Sequence, residues 1–70
     1  MNHAITITLN GETRRIEQAG TLLDLLNSLE LDPRTVVVEL NRAIVRRPGL
    51  AETGLSDGDQ VELVHFVGGG

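Results

Sequence analysis

One change of period constrains this chain more than any other feature. From His3 to Leu9 apolar and polar residues alternate, with Ile5, Ile7 and Leu9 set against Thr6 and Thr8. Past Ala19-Gly20-Thr21, the residues Leu22, Leu25, Leu26 and Leu29 recur at i, i+3, i+4 and i+7. The first pattern is a half-buried strand and the second is one face of a helix. A lone leucine stripe has to be covered, and the only apolar floor available is a sheet.

The rest of the chain supplies that sheet. Asn10-Gly11 accepts positive φ at low cost and predicts a two-residue hairpin turn, so residues 1–17 read as a hairpin with Glu12 to Glu17 as its polar return strand. Thr21 and Asp24 have the spacing of a capping box, with Asp in place of the usual Glu. The helix is predicted to stop near Leu31, because the residue before Pro33 disfavours helical φ/ψ. Val36 to Leu40 is a third strand, with Val36, Val38 and Leu40 toward the helix and Val37 and Glu39 away from it. Asn41-Arg42 turns the chain into a short strand, Ala43 to Val45, which Arg46-Arg47-Pro48-Gly49 ends. Leu50 to Leu55 reads as irregular, with room for one helical turn. Asp57-Gly58-Asp59 is a turn. Gln60 to Phe66 is the last strand, with Val61 and Leu63 inward. The expected fold class is α+β: a mixed four- to five-stranded sheet with one amphipathic helix packed across one face. Residues 1–66 form the domain and residues 67–70 a flexible glycine tail.

Composition narrows the function. The chain has 70 residues, room for one domain. Its 40% hydrophobic content suits a small core and argues against wholesale disorder. A chain this short has difficulty building a core and also enclosing a substrate pocket. Cysteine, lysine, tyrosine and tryptophan are absent. That removes disulfides, thiolate metal sites and a cysteine nucleophile from this chain. The two histidines, His3 and His65, lie near opposite ends and have no metal-pair spacing. The Asp57/Asp59 pair is too little for a calcium loop. The expectation is a protein that is not an enzyme, with no metal and no bound cofactor. Lys+Arg 6 against Asp+Glu 10 leaves a formal net charge of −4, and a phosphate-backbone binder needs a cationic face. Arg46 and Arg47 read as a solvated loop. No apolar run approaches the roughly 20 residues of a membrane span, and Met-Asn-His-Ala lacks the start of a signal peptide. No nucleic-acid or membrane partner is expected, and the expected location is cytoplasmic.

The most informative feature is Gly68-Gly69-Gly70. Glycines at a chain end are commonly only a frayed tail. Here they follow a strand expected at the centre of the sheet. Without Cβ atoms the backbone can enter a narrow channel and take any φ there, presenting a carboxylate on a thin stalk.

At this point the residues resemble a known family. The element order, the tract from Val38-Glu39-Leu40-Asn41 through Ile44-Val45, the turn Gly58-Asp59-Gln60-Val61 and the ending Val64-His65-Phe66-Val67-Gly68-Gly69-Gly70 are similar to the thiamine-biosynthesis sulfur carrier (ThiS) family. That family belongs to the ubiquitin-like β-grasp superfamily. The resemblance covers nearly the whole chain, and its departures, Arg42 and Arg47, bear on turn geometry. It implies that an E1-like adenylating partner (ThiF type) consumes ATP to activate the Gly70 carboxylate. Sulfur from a persulfide donor, a cysteine desulfurase or sulfurtransferase, then replaces AMP to leave a thiocarboxylate, and a thiazole synthase (ThiG type) receives the sulfur. Val67, Gly68 and Gly69 would thread into the partner's active site. The alternatives are the small subunit of molybdopterin synthase, a TGS-like β-grasp binding module, and a ubiquitin-like modifier.

Two surface groups accompany the tail. Val37, Val64 and Phe66 should point away from the helix, either as ordinary exposed residues or as a partner-docking patch. Glu39, Asp57, Asp59 and Glu62 are either solvated carboxylates or an acidic group that pairs with a basic partner.

Overall fold

The structure is a computed structural model that describes residues 4–66. Five strands form one mixed sheet: β1 Ile5–Leu9, β2 Glu12–Ile16, β3 Val36–Leu40, β4 Ala43–Val45 and β5 Gln60–His65. Their order across the sheet is β2-β1-β5-β3-β4. The expected β-grasp arrangement is therefore present, with five strands. The last strand is central, parallel to β1 and antiparallel to β3. A helix α1, Leu22–Ser28, covers one face, and a single turn α2, Arg47–Leu50, follows β4.

The helix begins as its sequence requires. Thr21 Oγ1 accepts from the Asp24 amide at 3.1 Å, and Asp24 Oδ2 accepts from the Thr21 amide at 2.9 Å. Two otherwise orphaned N–H groups are thereby satisfied. Gly20 precedes this box for a steric reason, since a Cβ there would overlap the Asp24 carboxylate.

The helix ends earlier than the proline predicted. Helical residues stop at Ser28, and Glu30 turns the chain with φ +60°. The Glu30 amide reaches Asn27 O at 3.0 Å and the Leu31 amide reaches Leu26 O at 3.0 Å. This is a Schellman end with glutamate where glycine is usual. Asp32 Oδ1 then accepts from the Arg34 amide at 2.9 Å and caps the 3₁₀ turn Pro33–Thr35. The hairpin strands are also shorter than expected. The first starts at Ile5, the second ends at Ile16 before Glu17, and His3 lies outside the described residues.

Ile7, Leu22, Leu26, Val38, Leu50 and Val61 are almost wholly buried, and Ile5, Leu9, Leu25, Val36 and Leu55 complete the core. Leu29, Leu40 and Leu63 pack partly against it. Burying one such side chain fully contributes about 1.5–3 kcal/mol. No polar side chain is buried among the described residues.

The strand β4 ends at Val45 as expected, but the helical turn comes earlier than the stretch Leu50 to Leu55 suggested. Pro48 sits in the first turn of α2, where its missing N–H costs nothing. That turn delivers Leu50 to the core, 2% exposed. Leu55 follows, held by its amide to Gly20 O at 2.8 Å, while the Leu22 amide reaches Thr53 O at 2.9 Å. The start of α1 is thus stitched to this segment.

Candidate docking face

The central strand is held from both sides, and two asparagine turns do much of the holding. Asn10 and Asn41 both have positive φ, 49° and 51°, at the tips of the β1–β2 and β3–β4 hairpins. The Asn10 amide donates to Val61 O at 2.9 Å, and its Oδ1 accepts from the Leu63 amide at 2.8 Å. On the other side the Asn41 amide donates to Gln60 O at 2.7 Å, and its Oδ1 accepts from the Gln60 amide at 2.9 Å. Toward its end β5 stays paired to β3 through Val36↔His65. The Phe66 amide then reaches Thr35 O at 3.2 Å. Phe66 is therefore a fixed root for residues 67–70. The residues proposed to be threaded or modified, Val67, Gly68, Gly69 and Gly70, lie outside the described residues, as does the expected flexible tail.

The face opposite α1 carries no covering element among the described residues. The register sets Val37 beside Val64, Glu39 beside Glu62 on one side and beside Ile44 on the other. Phe66 stands two residues beyond Val64, on the same side. Ile44, Val64 and Phe66 are 64%, 55% and 51% exposed. Val37 is half-buried among them. The expected patch of Val37, Val64 and Phe66 is brought together, and Ile44 extends it. On the far half of the same face the residues are polar: Thr6 and Thr8 on β1, with Arg15 and Thr13 opposite them on β2. The open face has its exposed apolar side chains only where β5, β3 and β4 form it.

The four acidic residues do not act as one group. The Asp57 carboxylate accepts from the Thr6 amide at 2.8 Å. The Asp59 carboxylate accepts from the Ser56 amide at 2.8 Å and from the Asn41 side chain at 3.0 Å. Both aspartates are occupied in holding the turn before β5, with Gly58 at φ +88° between them. Glu39 and Glu62 form no ion pair among the described residues, where the pairs are Arg15–Glu17 and Arg34–Asp32. They face each other directly across β3 and β5, an arrangement that repels.

Beside Phe66 the surface dips into an open groove of about 380 Å³, lined by Pro33, Arg34, Val37, Arg46, Arg47 and Phe66 among others. Arg46 and Arg47, read from the sequence as a solvated loop, are exposed and share this groove with Phe66. The Arg34 guanidinium bonds the Asp32 carboxylate through Nη2 at 2.8 Å. That hydrogen bond, helped by the Arg34 backbone amide, lowers the Asp32 carboxyl to about 2. A larger groove of about 670 Å³ separates β2 from α1, but its lining, from Arg14 to Ser28, lies away from Phe66. Among the described residues no three His, Cys, Asp or Glu side chains gather as metal ligands. No helix is long and apolar enough to cross a membrane.

Ile44 was missed by sequence reasoning, although a signal existed. A two-residue turn at Asn41-Arg42 pairs Leu40 with Ala43, so Ile44 must share a face with Glu39. The groove had no such signal, because it is assembled from three separate segments.

The sequence profile of the ThiS family matches residues 7–70. The sulfur carrier protein ThiS of Bacillus subtilis is 42% identical over 65 residues, 91% of this chain and 98% of that one. A thiazole synthase of Magnetococcus marinus is 45% identical over 64 residues, 91% of this chain but 20% of that protein. The chain thus spans about a fifth of the thiazole synthases it matches. The crystal structure of a thiamine biosynthesis protein (ThiS) from Geobacter metallireducens superposes with a TM-score of 0.82 at 32% identity, covering 94% of this chain and all of that one.

Proposed function

The chain belongs to the ThiS family of sulfur carrier proteins in thiamine biosynthesis, and we propose that residue Gly70 is the atom group it offers to its partners. It is a carrier and not an enzyme. The reading rests most on one observation: β5 lies at the centre of the sheet, pinned by Asn10 and Asn41, and leads through Phe66 directly into Val-Gly-Gly-Gly. A rigid body that ends in a side-chain-free stalk lets another enzyme enclose the terminal carbon.

The chemistry is supplied by partners in the cytoplasm. A carboxylate is a poor electrophile. An E1-like enzyme uses ATP to turn the Gly70 carboxylate into an acyl-adenylate, with pyrophosphate leaving. A persulfide sulfur displaces AMP, and a thiol then cleaves the resulting acyl disulfide to leave the thiocarboxylate. Thiazole synthase is the receiver. Its relatives that hold a segment like this chain within the same polypeptide support that pairing. The chain needs no bound cofactor of its own. Val67, Gly68 and Gly69 thread into the partner, while Val37, Val64, Phe66 and Ile44 dock against it and Glu39 and Glu62 meet basic residues there.

Mass spectrometry tests this. Incubation with ATP, the adenylating enzyme and a persulfide donor is expected to exchange one oxygen for one sulfur. Deleting Gly70 is expected to abolish the exchange while the domain stays folded. Sulfur uptake by the truncated chain would overturn the assignment.

A further inference from the structure

Positive charge is unevenly distributed over this acidic chain. All 6 of its basic residues are arginines, against 10 acidic ones, yet Arg34, Arg46 and Arg47 line the one groove beside Phe66. Arg34 is engaged by Asp32. Arg46 and Arg47 are exposed and take part in neither ion pair found among the described residues. Arg47 attracts the Asp32 carboxylate at longer range, and no hydrogen bond holds either guanidinium among the described residues. Arg46 is the N-cap of α2 and makes no capping hydrogen bond with its side chain, and Arg47 is the first helical residue.

The groove has the make-up of an interface for carboxylates. Two neighbouring guanidinium forks match carboxylate geometry in a bidentate way. Val37, Pro33 and the half-exposed ring of Phe66 give an apolar floor that strengthens such pairs by excluding water. The groove includes Phe66, the last described residue before the tail, and so is within reach of a protein that encloses residues 67–70.

We propose that this groove docks an acidic segment of thiazole synthase, with its carboxylates on Arg46 and Arg47 and an apolar side chain against Phe66. The proposal rests on the carrier reading and deepens it. It makes the open face bipolar: Glu39 and Glu62 stand at its centre and the arginines at the tail root. A partner presenting acid at one end and base at the other can dock in only one orientation.

The experiment is a calorimetric titration of thiazole synthase with the full chain and its Arg46→Gln/Arg47→Gln variant, at low and high salt. The variant is expected to bind about tenfold more weakly at low salt and to lose much of the salt dependence of the wild type. The loss is expected with thiazole synthase and not with the adenylating enzyme. Arg47→Lys, which keeps the charge but not the fork, is expected to lie between the two. Equal affinity of variant and wild type for thiazole synthase, or a loss confined to the adenylating enzyme, would overturn the proposal. The carrier reading fails by a different result, namely a wild-type chain that takes up no sulfur. Equal binding in a chain that does take up sulfur removes the groove proposal alone.

Discussion

Along β3 the two faces of the sheet carry the same residue type and serve opposite ends. Val36 and Val38 on one side of β3 are buried beneath α1, while Val37, between them, lies half-buried on the uncovered side with Val64 and Ile44. Alternation alone decides which valine stabilises the fold and which remains available. A chain of this size has little core to spare, so three large apolar residues left more than half exposed on one face are a substantial share of its apolar surface. The contrast teaches that burial here separates stability from recognition with almost no overlap.

The contrast breaks most severely at Leu26, wholly buried on the inner side of α1. Leu26→Ala is expected to cost about 3 kcal/mol in urea unfolding, close to the whole stability of so small a domain, and a loss under 1 kcal/mol would refute the division. On the other face, Phe66→Ala is expected to weaken thiazole synthase binding by about 2 kcal/mol in calorimetry while shifting stability by no more than about 0.5 kcal/mol. Unchanged binding would remove Phe66 from the docking face. Arg42, at φ +74° in the β3–β4 turn, belongs to neither face. Arg42→Gly is expected to raise stability by about 1 kcal/mol, since only glycine is unstrained there, with binding unchanged. Glu39→Gln sharpens the comparison further. Relieving its repulsion with Glu62 is expected to add a few tenths of a kcal/mol to stability and to weaken partner binding. A gain in both would show that the pair meets no basic partner.

The smallest effect is one of pH. The Asp32 carboxyl is held below its ordinary value of 3.8, at about 2, by its hydrogen bonds to Arg34. The stabilisation is therefore fully present above about pH 4 and fades as pH falls through 2. The stability difference between wild type and Asp32→Asn is expected to narrow over that window, and a difference constant with pH would exclude the pair as its source.

Much of this was legible where local chemistry and tertiary packing agree. The Asn10-Gly11 turn, the Thr21–Asp24 box and the leucine stripe each state their structure within a few residues, and the fold followed from them. Legibility failed where a residue does something its type does not advertise. Glu30 closes the helix in a conformation glycine usually takes, so the sequence advertises the proline further on and not the true terminator. Leu50 and Leu55 are core residues in a stretch too short to display any period. Of the site, the patch of Val37, Val64 and Phe66 was readable from alternation. The splitting of the acidic residues was not, because it depends on Asp57 and Asp59 reaching amides far away in sequence. The place of Arg46 and Arg47 beside Phe66 was not legible either, because separate segments assemble the groove.

The sheet order carries one last consequence. β1 and β3 do not touch each other; each borders only β5 on its inner side. A polypeptide that stops before Gln60 keeps two hairpins with no strand between them, joined only through α1 and the core side chains, and an isolated hairpin is at best marginally stable in water. The whole sheet therefore closes only when its last strand is added.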